Sequence, residues 1–410
     1  MNILTDILLG ASAIAFLLYL IFSPNRKWAL LSFVLFISNM TKPSEALFLA
    51  EPLEIIRSKS RLLCLLAAIC LPFFNRKKSG WLGVKPSLAF ATLMMLQLFL
   101  LAVDFFRISF INDQEIYQRA LIDLLFLFSI GMVVASWINN FEDVQWFFRS
   151  VAGGTILFIV ATAIQFLWDP SQEVWNGRLF GVSAHPNFAA VMFAISVLVC
   201  LWLSQSVLEK RERYFWVLLT LLCGIGLVWT GSRTGFLMAV VGVGVYIFST
   251  RKGLVFLCAG LLAIPLLAVT NLLPEFTIAI NRVLSGANTR AASWSLLWSQ
   301  FIQNPIFGLP TNEIQASENS YLWIALRGGI VGLALLLLVW FLIFKNLKYL
   351  MDHQKPFLKN AERLLFACFC SYFVGSFFEG YINMTLGYQI LIFYCLITAL
   401  SRLSRVTAKT

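Results

Sequence analysis

Charged residues are scarce in this 410-residue chain. Asp, Glu, Lys and Arg make up 12% of it, half of the ~25% that is usual for soluble domains. Hydrophobic residues make up 60%, and apolar runs long enough to cross a bilayer recur along the sequence. An ordinary soluble domain is therefore excluded. The pattern predicts an all-α polytopic membrane protein, because a spanning helix satisfies its own backbone hydrogen bonds in lipid.

Metal-ligating side chains are scarce as well. The chain has two histidines, His185 and His353, and its eight cysteines all lie in apolar runs. We interpret the cysteines as small packing residues, and we predict neither a metal site nor a cofactor. The net charge of +11 is spread over short loops between apolar segments. This distribution indicates helix orientation by the positive-inside rule rather than nucleic-acid binding.

Thirteen apolar segments are candidate membrane spans. Two of them are short for a crossing, so we predict about 12 (12–13) transmembrane helices. The whole chain, 1–410, is predicted to form a single helical transmembrane domain. The candidate spans are 6–23, 28–40, 61–74, 87–106, 120–137, 151–168, 188–207, 214–230, 235–249, 254–273, 321–344, 364–377 and 388–401.

Basic connections set the orientation of the later helices. Four of them are rich in Lys and Arg and are predicted to be cytoplasmic; they lie at 210–213, 251–252, 345–363 and 402–409. The alternate connections then face outward, among them a large polar loop at 271–320. Because the residues that could do chemistry fall on this outer side, we predict an active site that faces the periplasm or cell exterior.

A polar connection around residue 180 carries the first candidate residues. Arg178 precedes His185, Pro186 and Asn187, and the proline is typical of the first turn of a helix. In one interpretation Arg178 or His185, with Asn187 beside it, faces an anionic ligand at the free N–H groups of that helix start. The alternative is a loop that leads into a capped helix without a ligand.

A second candidate is Arg233, which lies in a short break between two apolar runs. Gly231 and Gly235 flank it and allow a tight turn or a close approach of the backbone to a ligand. An arginine this close to the hydrocarbon boundary is costly and marks a functional site by default. The alternative is an arginine that snorkels from a helix end.

The outer loop carries two more arginines, Arg282 and Arg290. They could form a clamp for a diphosphate, because guanidinium groups bind phosphate oxygens in a bidentate manner. Arg290 also begins a predicted amphipathic helix that contains Trp294 and ends before Pro305. The alternative for this helix is that its aromatic stripe lies on the membrane surface.

Glu318 closes the outer loop just before the next span. It could take a proton from an acceptor hydroxyl as a general base, or it could be a carboxylate that only stabilises a helix N-terminus. Three further charges fall in or beside apolar segments. We predict that Arg327 pairs with Glu379 or Asp123 as a structural ion pair, because charges in lipid pair with one another.

Four short motifs follow one another within residues 150–345. They are Arg178-Leu179-Phe180-Gly181 with His185-Pro186-Asn187, Gly231-Ser232-Arg233-Thr234, Arg290 and Trp294 with Asn304-Pro305-Ile306-Phe307-Gly308, and Glu318-Asn319-Ser320-Tyr321-Leu322 with Gly328-Gly329-Ile330-Val331-Gly332. In their order and outward placement they resemble the O-antigen ligase and polymerase family of bacterial envelope glycosyltransferases.

The resemblance implies a helical bundle of the membrane glycosyltransferase (GT-C-like) type in a bacterial inner membrane. It implies an inverting transfer of a glycan from an undecaprenyl-diphosphate carrier to a hydroxyl of a glycan or glycolipid acceptor, without a metal. It assigns Arg233 and Arg290 to the diphosphate, with Arg178 and Arg282 in support. Fixed cations in those places would stabilise the charge that develops on the leaving group.

One position departs from the family. Its ligases typically carry a histidine, often in His-Asn, where this chain has Glu318-Asn319. We predict that Glu318 is the base and that Asn319 and Tyr321 orient the acceptor. The departure favours a polymerase of O-antigen or exopolysaccharide repeat units. The alternatives are a ligase that transfers finished polymer to lipid A–core or another acceptor, and a flippase for a lipid-linked glycan, although the sequence lacks the paired halves typical of transporters.

Overall fold

The structure is a computed structural model, and most of the described chain is helical. It describes residues 25–40, 49, 51–70, 86–107, 114–169, 174–175, 177–247, 281–282, 290–310, 314, 318–353, 360–382 and 386–409. The helices in these ranges are α1 (Arg26–Ser38), α2 (Glu51–Cys70), α3 (Leu88–Arg107), α4 (Gln114–Trp137), α5 (Phe141–Trp168), α6 (Pro186–Ser206), α7 (Lys210–Trp229), α8 (Arg233–Ile247), α9 (Ala291–Gln303), α10 (Ser320–Asp352), α11 (Ala361–Gly375) and α12 (Tyr388–Lys409).

These helices occupy eleven of the thirteen predicted apolar segments, and α9 is the predicted amphipathic helix. The other two segments, 6–23 and 254–273, lie outside the described residues. Within the described residues, six helices are long and apolar enough to cross a membrane, namely α3 to α7 and α10. This confirms a polytopic, multi-pass α-helical membrane protein. The count of about 12 spans stays a prediction.

Contacts divide the chain into two compact units. Unit 1 comprises Met1–Arg76, Asn140–Ser285 and Phe357–Ser371, and unit 2 comprises Lys77–Asn139, Gly286–Pro356 and Tyr372–Thr410. Unit 1 therefore holds α1, α2 and α5 to α8, and unit 2 holds α3, α4, α9, α10 and α12. Helix α11 contributes residues to both.

Helix α6 is the centre of unit 1. It packs against α5, α7 and α8, and 83% of its most apolar stretch is buried. Small residues permit this close packing: a Cβ on Gly235 of α8 would approach the Cβ of Ala190 to 2.5 Å. Polar side chains inside the bundle satisfy one another, as where Thr155 and Ser196 share a hydrogen bond of 2.5 Å.

A short antiparallel ladder precedes α6. Strand β1 (Val174–Trp175) pairs with β2 (Arg178–Leu179) in the register Val174 to Leu179 and Trp175 to Arg178. Gly177, at the turn between them, has φ +72°, a left-handed conformation that glycine adopts without strain. Strand β2 contacts α7, so this ladder holds Arg178 against the C-terminal end of that helix.

Helix α10 is the corresponding axis of unit 2. It packs against α3, α9 and α12, and a buried ion pair joins it to α3: Arg327 Nε donates to Asp104 at 2.6 Å. The prediction that Arg327 pairs with Glu379 or Asp123 is therefore wrong. Asp123 instead accepts the backbone N–H of Leu386 at 3.1 Å. Pattern alone missed Asp104, because it lies 223 residues away inside an apolar helix.

Helix α10 is broken at Gly329, which has φ 61° and ψ −161°. The loop after α9 lies in this break. Leu309 N–H donates to the carbonyl of Leu326 at 2.5 Å, and Ile330 N–H donates to the carbonyl of Pro305 at 2.8 Å. The loop thus satisfies backbone groups that a break in an apolar helix would otherwise leave unpaired, which is costly in a membrane.

Candidate functional site

Arg290 lies at the start of α9 in unit 2. It is the N-cap residue of α9, and its Nη2 forms a short ion pair with Glu379 Oε1. The guanidinium carbon lies 6.0 Å from the centre of the Phe378 ring, and Trp294 packs on that ring with 5.5 Å between centroids. Two predicted site residues, Arg290 and Trp294, are therefore brought together on one turn of α9.

Ser320 fixes the turn that carries Glu379. Its backbone N–H donates to the carbonyl of Ser376 at 2.8 Å, and its hydroxyl donates to the carbonyl of Glu379 at 2.7 Å. The same hydroxyl accepts the N–H of Ile382 at 3.3 Å. These bonds hold the turn after α11 against the first residue of α10. Glu379 therefore lies at the N-terminal end of α10, which follows Glu318 in the sequence.

Asn319 and Tyr321 begin α10. The Asn319 side-chain oxygen caps the helix by accepting the N–H groups of Tyr321 and Leu322 at 2.9 and 3.0 Å. The Tyr321 hydroxyl donates to the carbonyl of Phe373 at 3.1 Å, and its ring lies 4.3 Å from that of Phe377. These contacts give both residues a structural role, and their predicted role in orienting the acceptor stays a prediction.

Four buried polar atoms around this cluster have no hydrogen-bond partner among the described residues. They are Trp294 Nε1, Glu318 Oε2, Ser376 Oγ and the Tyr381 hydroxyl. A buried polar group without a partner costs free energy, so such groups are rare unless a ligand or water serves them. Similar atoms occur elsewhere in the described chain, so it is their combination with the partly exposed Arg290–Glu379 pair that makes this end of unit 2 the candidate active site.

Tyr381 faces the ion pair from the same turn. Burial raises the pKa of its phenol, the negative charge of Glu379 raises this pKa further, and Arg290 offsets part of the rise. The hydroxyl therefore stays protonated at any physiological pH. As a neutral donor beside a carboxylate and a guanidinium, it can bind a sugar or phosphate oxygen. Tyr381 was not among the predicted site residues, since a single tyrosine in a short apolar connection gives no signal in the sequence.

The break in α10 fixes the distance between α9 and this site. Gly308 and Gly329 both have positive φ, +74° and +61°. A Cβ on Gly308 would overlap the carbonyl of Leu326, and one on Gly329 would overlap the carbonyl of Ile306. The Asn-Pro-Ile-Phe-Gly motif and the Gly-Gly motif are thus two halves of one contact, which joins the end of α9 to the first turns of α10.

Arg178 and Asn187 meet in unit 1. Arg178 Nη2 donates to the Asn187 side-chain oxygen at 3.0 Å, and its Nε donates to the carbonyl of Thr230 at 2.8 Å. Only 7% of the Arg178 surface is exposed. The buried guanidinium therefore joins the start of α6 to the end of α7, and it supports the turn that leads to Arg233.

Arg233 is the first residue of α8, after a turn in which Gly231 has φ +58°. Ser232 caps this helix by accepting the N–H of Gly235 at 3.2 Å, and its own N–H donates to the Thr230 hydroxyl at 3.2 Å. A guanidinium at a capped helix N-terminus, half-buried, lies where the helix dipole also attracts an anion.

His185 is the N-cap residue of α6. Its Nδ1 accepts the backbone N–H of Asn187 at 3.1 Å, so this nitrogen carries no proton and the neutral ring has its proton on Nε2. Capping was one of the two interpretations of this histidine. Its predicted contact with an anionic ligand would have to use the Nε2 side of the ring.

The candidate residues thus form two groups. Unit 1 holds Arg178, His185, Asn187, Arg233 and Arg282, and unit 2 holds Arg290, Trp294, Glu318, Asn319 and Tyr321. Arg282 is exposed. Residues 283–289 lie outside the described part of the chain, as does most of 271–290, so a clamp made by Arg282 and Arg290 stays a prediction. Within the described residues, no group of three or more His, Cys, Asp or Glu side chains could hold a metal ion.

A protein-family model described as O-Antigen ligase matches residues 217–337, a segment that includes Arg233, Arg290 and Glu318. No curated protein matches the chain. The match confirms the resemblance to the O-antigen ligase and polymerase family. It supports activity of the O-antigen ligase or polymerase type in general.

Proposed function

We propose that the protein is an inverting glycosyltransferase that uses an undecaprenyl-diphosphate-linked glycan as donor and acts as an O-antigen or exopolysaccharide polymerase. The observation that carries this proposal is the site at the start of α10. There Arg290 pairs with Glu379, beside a Glu318 carboxylate oxygen and a Tyr381 hydroxyl that have no partner among the described residues. A fixed cation, a base and a polar donor are the groups that this transfer needs.

Arg290 binds the diphosphate of the donor in this proposal. In the absence of donor, Glu379 neutralises the guanidinium, and both side chains remain partly exposed, at 18% and 14%. The diphosphate carries more negative charge than one carboxylate and presents more acceptor oxygens, so it can displace Glu379 from Arg290. Charge-assisted, bidentate bonds to phosphate are among the strongest that an arginine makes.

Glu318 acts as the general base. The acceptor hydroxyl attacks the anomeric carbon of the donor glycan while its proton passes to the Glu318 carboxylate. The bond from that carbon to the diphosphate oxygen breaks, and Arg290 stabilises the charge that the leaving diphosphate gains. A single displacement of this kind inverts the anomeric configuration.

The arginines of unit 1 are further proposed contacts of the donor, as the family resemblance implies. Arg233 binds the diphosphate with the help of the α8 N-terminus, and Arg282 supports it from the outer loop. Arg178 contributes by holding the Thr230 carbonyl in place, which fixes the turn before Arg233. His185 and Asn187 lie at the start of α6 beside it and contact the donor glycan.

Aromatic and polar groups of unit 2 position the acceptor. Trp294 offers a face for a sugar ring and an indole N–H without a partner among the described residues. Asn319 and Tyr321 shape the floor of the site through the cap of α10 and the contact with Phe373. We place the site on the periplasmic or outer face of a bacterial inner membrane, within one helical domain, and no metal takes part.

A ligase is the second candidate function. The description of the matching family model, O-Antigen ligase, favours it. The same donor chemistry serves both activities, and they differ in the acceptor: a lipid-linked repeat unit for a polymerase, and lipid A–core or another final acceptor for a ligase. Glu318 in place of the histidine that the ligases carry is the reason for our preference.

A flippase is the third candidate, and broken helices are typical of transporters. In transporters the broken segments bind substrate with their free backbone groups. In α10 the groups beside the break bond to the loop after α9, through Leu309 and Pro305. The break therefore has a structural use in this chain, which gives the flippase less support.

The test is the glycan profile of a host that lacks this protein and is complemented with variants. Loss of the protein should leave single repeat units on the final acceptor, without long chains. Long chains that stay on the carrier would identify a ligase, and carrier-linked units trapped on the cytoplasmic side would identify a flippase. Glu318→Gln at normal expression should match the deletion, and full-length polymer from it would remove Glu318 as the base.

A further inference from the structure

A cavity lies in unit 1, and three helices line it. It measures about 460 Å³ and lies between α1, α5 and α7. Its lining is unusual for an apolar bundle, since it contains three tryptophans and an ion pair: Trp28, Trp146, Trp216, Arg149 and Glu212. Tryptophan gathers at the level of lipid headgroups, where its ring is buried and its N–H reaches a polar partner.

The charged part of this cavity is held in a fixed geometry. Arg149 Nη2 donates to Glu212 Oε1 at 2.7 Å, and Trp216 Nε1 donates to the same oxygen at 3.1 Å. The guanidinium stacks over the Trp146 ring at 4.8 Å. Arg149 Nε–H is buried and has no acceptor among the described residues. The cavity thus offers an N–H donor that can still accept a hydrogen-bond partner, next to a carboxylate.

The cavity lies near the end of the bundle where three helices begin. Helices α1, α5 and α7 start at Arg26, Phe141 and Lys210, and Lys27 and Asp143 tie the first two starts together at 3.4 Å. The positive ends of helix dipoles therefore point to this region, and they favour a phosphate. Arg149 lies about 12 Å along α5 from its start, at 1.5 Å per residue.

An apolar groove continues from the cavity between α5 and α7. It has a volume of about 160 Å³ and is lined by Ile156, Ile159, Val160, Phe215, Leu218, Leu219 and Leu222. Ile156 lines both spaces. Helices α5 and α7 both pack on α6, and the groove lies between them on the outer side, where Leu218 and Leu222 are exposed. From Arg149 to Val160 the path is ~16 Å, the length of much of an acyl chain.

We propose that this cavity and groove bind one phospholipid with a zwitterionic headgroup of the phosphoethanolamine kind. Its phosphate accepts from Arg149 and faces the helix N-termini. Its ammonium lies by Glu212 and the face of Trp216, since cations bind both carboxylates and indole rings. One acyl chain follows the groove past Ile156. The cavity lining carries one charge of each sign, so it complements a zwitterion better than an anion.

Native mass spectrometry of the delipidated full-length protein in mild detergent tests this proposal. The probes are phosphatidylethanolamine and phosphatidylglycerol with identical acyl chains. We expect one discrete bound lipid, with phosphatidylethanolamine binding about fivefold more tightly. Equal or tighter binding of phosphatidylglycerol, or the absence of a discrete bound lipid, would overturn the proposal.

Variants separate the parts of the site. Arg149→Gln should weaken the binding of both lipids about tenfold, and Glu212→Gln should abolish the preference for phosphatidylethanolamine. Arg211→Gln is the matched control: it removes one positive charge from the same helix end, but it does not line the cavity, and it should bind like the wild type. If all three variants bind like the wild type, the lipid lies elsewhere and the proposal fails.

A variant without a charge change covers the case in which Arg149→Gln does not fold. Ile156→Trp fills the junction of the cavity and the groove while the headgroup contacts remain. It should weaken the binding of both lipids by a similar factor and keep the preference for phosphatidylethanolamine. Unchanged affinity for both lipids in this variant would show that no acyl chain occupies the groove, which contradicts the proposal.

Discussion

Two ion pairs of unit 2 differ in their surroundings. Arg327 and Asp104 join α10 to α3 and are sealed inside the bundle, with 6% and 4% of their side chains exposed. Arg290 and Glu379 join the start of α9 to the turn after α11, and they are about three times as exposed. The guanidinium carbon of Arg327 lies 4.9 Å from the centre of the Trp323 ring. The second pair lies among buried polar atoms without partners in the described residues.

The comparison distinguishes a charge with a structural role from a charge that is accessible to a ligand. Both arginines lie near apolar segments, and both pair with a carboxylate that is distant in sequence. The partner is therefore not what distinguishes them. The difference is exposure: Arg290 and Glu379 keep 18% and 14% of their side-chain surface accessible, against 6% and 4% for Arg327 and Asp104. A ligand with several oxygens could therefore reach Arg290, and it would also serve the buried polar atoms beside it.

The largest effect is expected where the sealed pair is broken. Asp104→Leu leaves the Arg327 charge buried without its partner, and removing one partner of a buried pair costs about 3–5 kcal/mol. We expect little folded protein, measured by fluorescence-detected size-exclusion chromatography and thermal unfolding in detergent. The double variant Asp104→Leu with Arg327→Met should recover most of the loss. A stable single variant would contradict the structural role of this pair.

Removal of the available arginine should spare stability and abolish activity. Arg290→Ala is expected to lower the rate of polymer formation by about 10²–10³, the usual effect of losing one electrostatic contact to a transition state. Its thermal unfolding should stay close to that of the wild type, because the pair lies at a helix end. Polymer of normal length and amount from a normally expressed variant would contradict the proposed role of Arg290.

Gly329→Ala tests the contact that holds α9 to α10. At φ 61° and ψ −161° a side chain is strained by about 1–3 kcal/mol, and its Cβ would overlap the Ile306 carbonyl. We expect lower thermal stability together with weaker donor binding, since the loop after α9 has to shift. Gly224→Ala is the control, because its Cβ would meet nothing within 4 Å. Equal behaviour of the two variants would count against the proposed contact.

Tyr381→Phe should have the smallest effect on stability. It removes a buried hydroxyl that has no partner among the described residues, so unfolding should be unchanged or shifted upward by about 1 kcal/mol. If the hydroxyl serves the substrate, the rate should still fall several-fold. Because its pKa is raised, the wild type should show no titration of this group below about pH 10, the ordinary value for tyrosine. A stability loss without an activity loss would make Tyr381 purely structural.

The sequence predicted the secondary structure and the local chemistry of the site well. Apolar periodicity located α3 to α8 and α10, and the proline at 305 located the end of α9. The predicted capped start of α6 is observed, with His185 as the cap. The start of α10 is capped too, but by Asn319, whereas the sequence offered Glu318 for a role at that helix start. These features depend on neighbours within a few residues, which a single sequence contains.

Long-range partners could not be predicted in the same way. The sequence offered Glu379 for Arg327, whereas Glu379 pairs with Arg290 across 89 residues. The break at Gly329 was hidden, because a Gly-Gly pair in an apolar run also fits an unbroken helix. Tyr381 and the cavity beside Arg149 gave no motif at all. Each of these depends on how helices distant in sequence pack, and one sequence carries no record of that.

The role of Arg290 is tested most directly by the affinity of the purified protein for a polyprenyl diphosphate, compared between the wild type, Arg290→Gln and Glu379→Gln. We expect Arg290→Gln to bind more weakly and Glu379→Gln to bind more tightly, because the carboxylate competes with the diphosphate for the guanidinium. If Glu379→Gln instead binds as the wild type does or more weakly, Glu379 is not a displaceable partner, and Arg290 is no more available to the donor than Arg327.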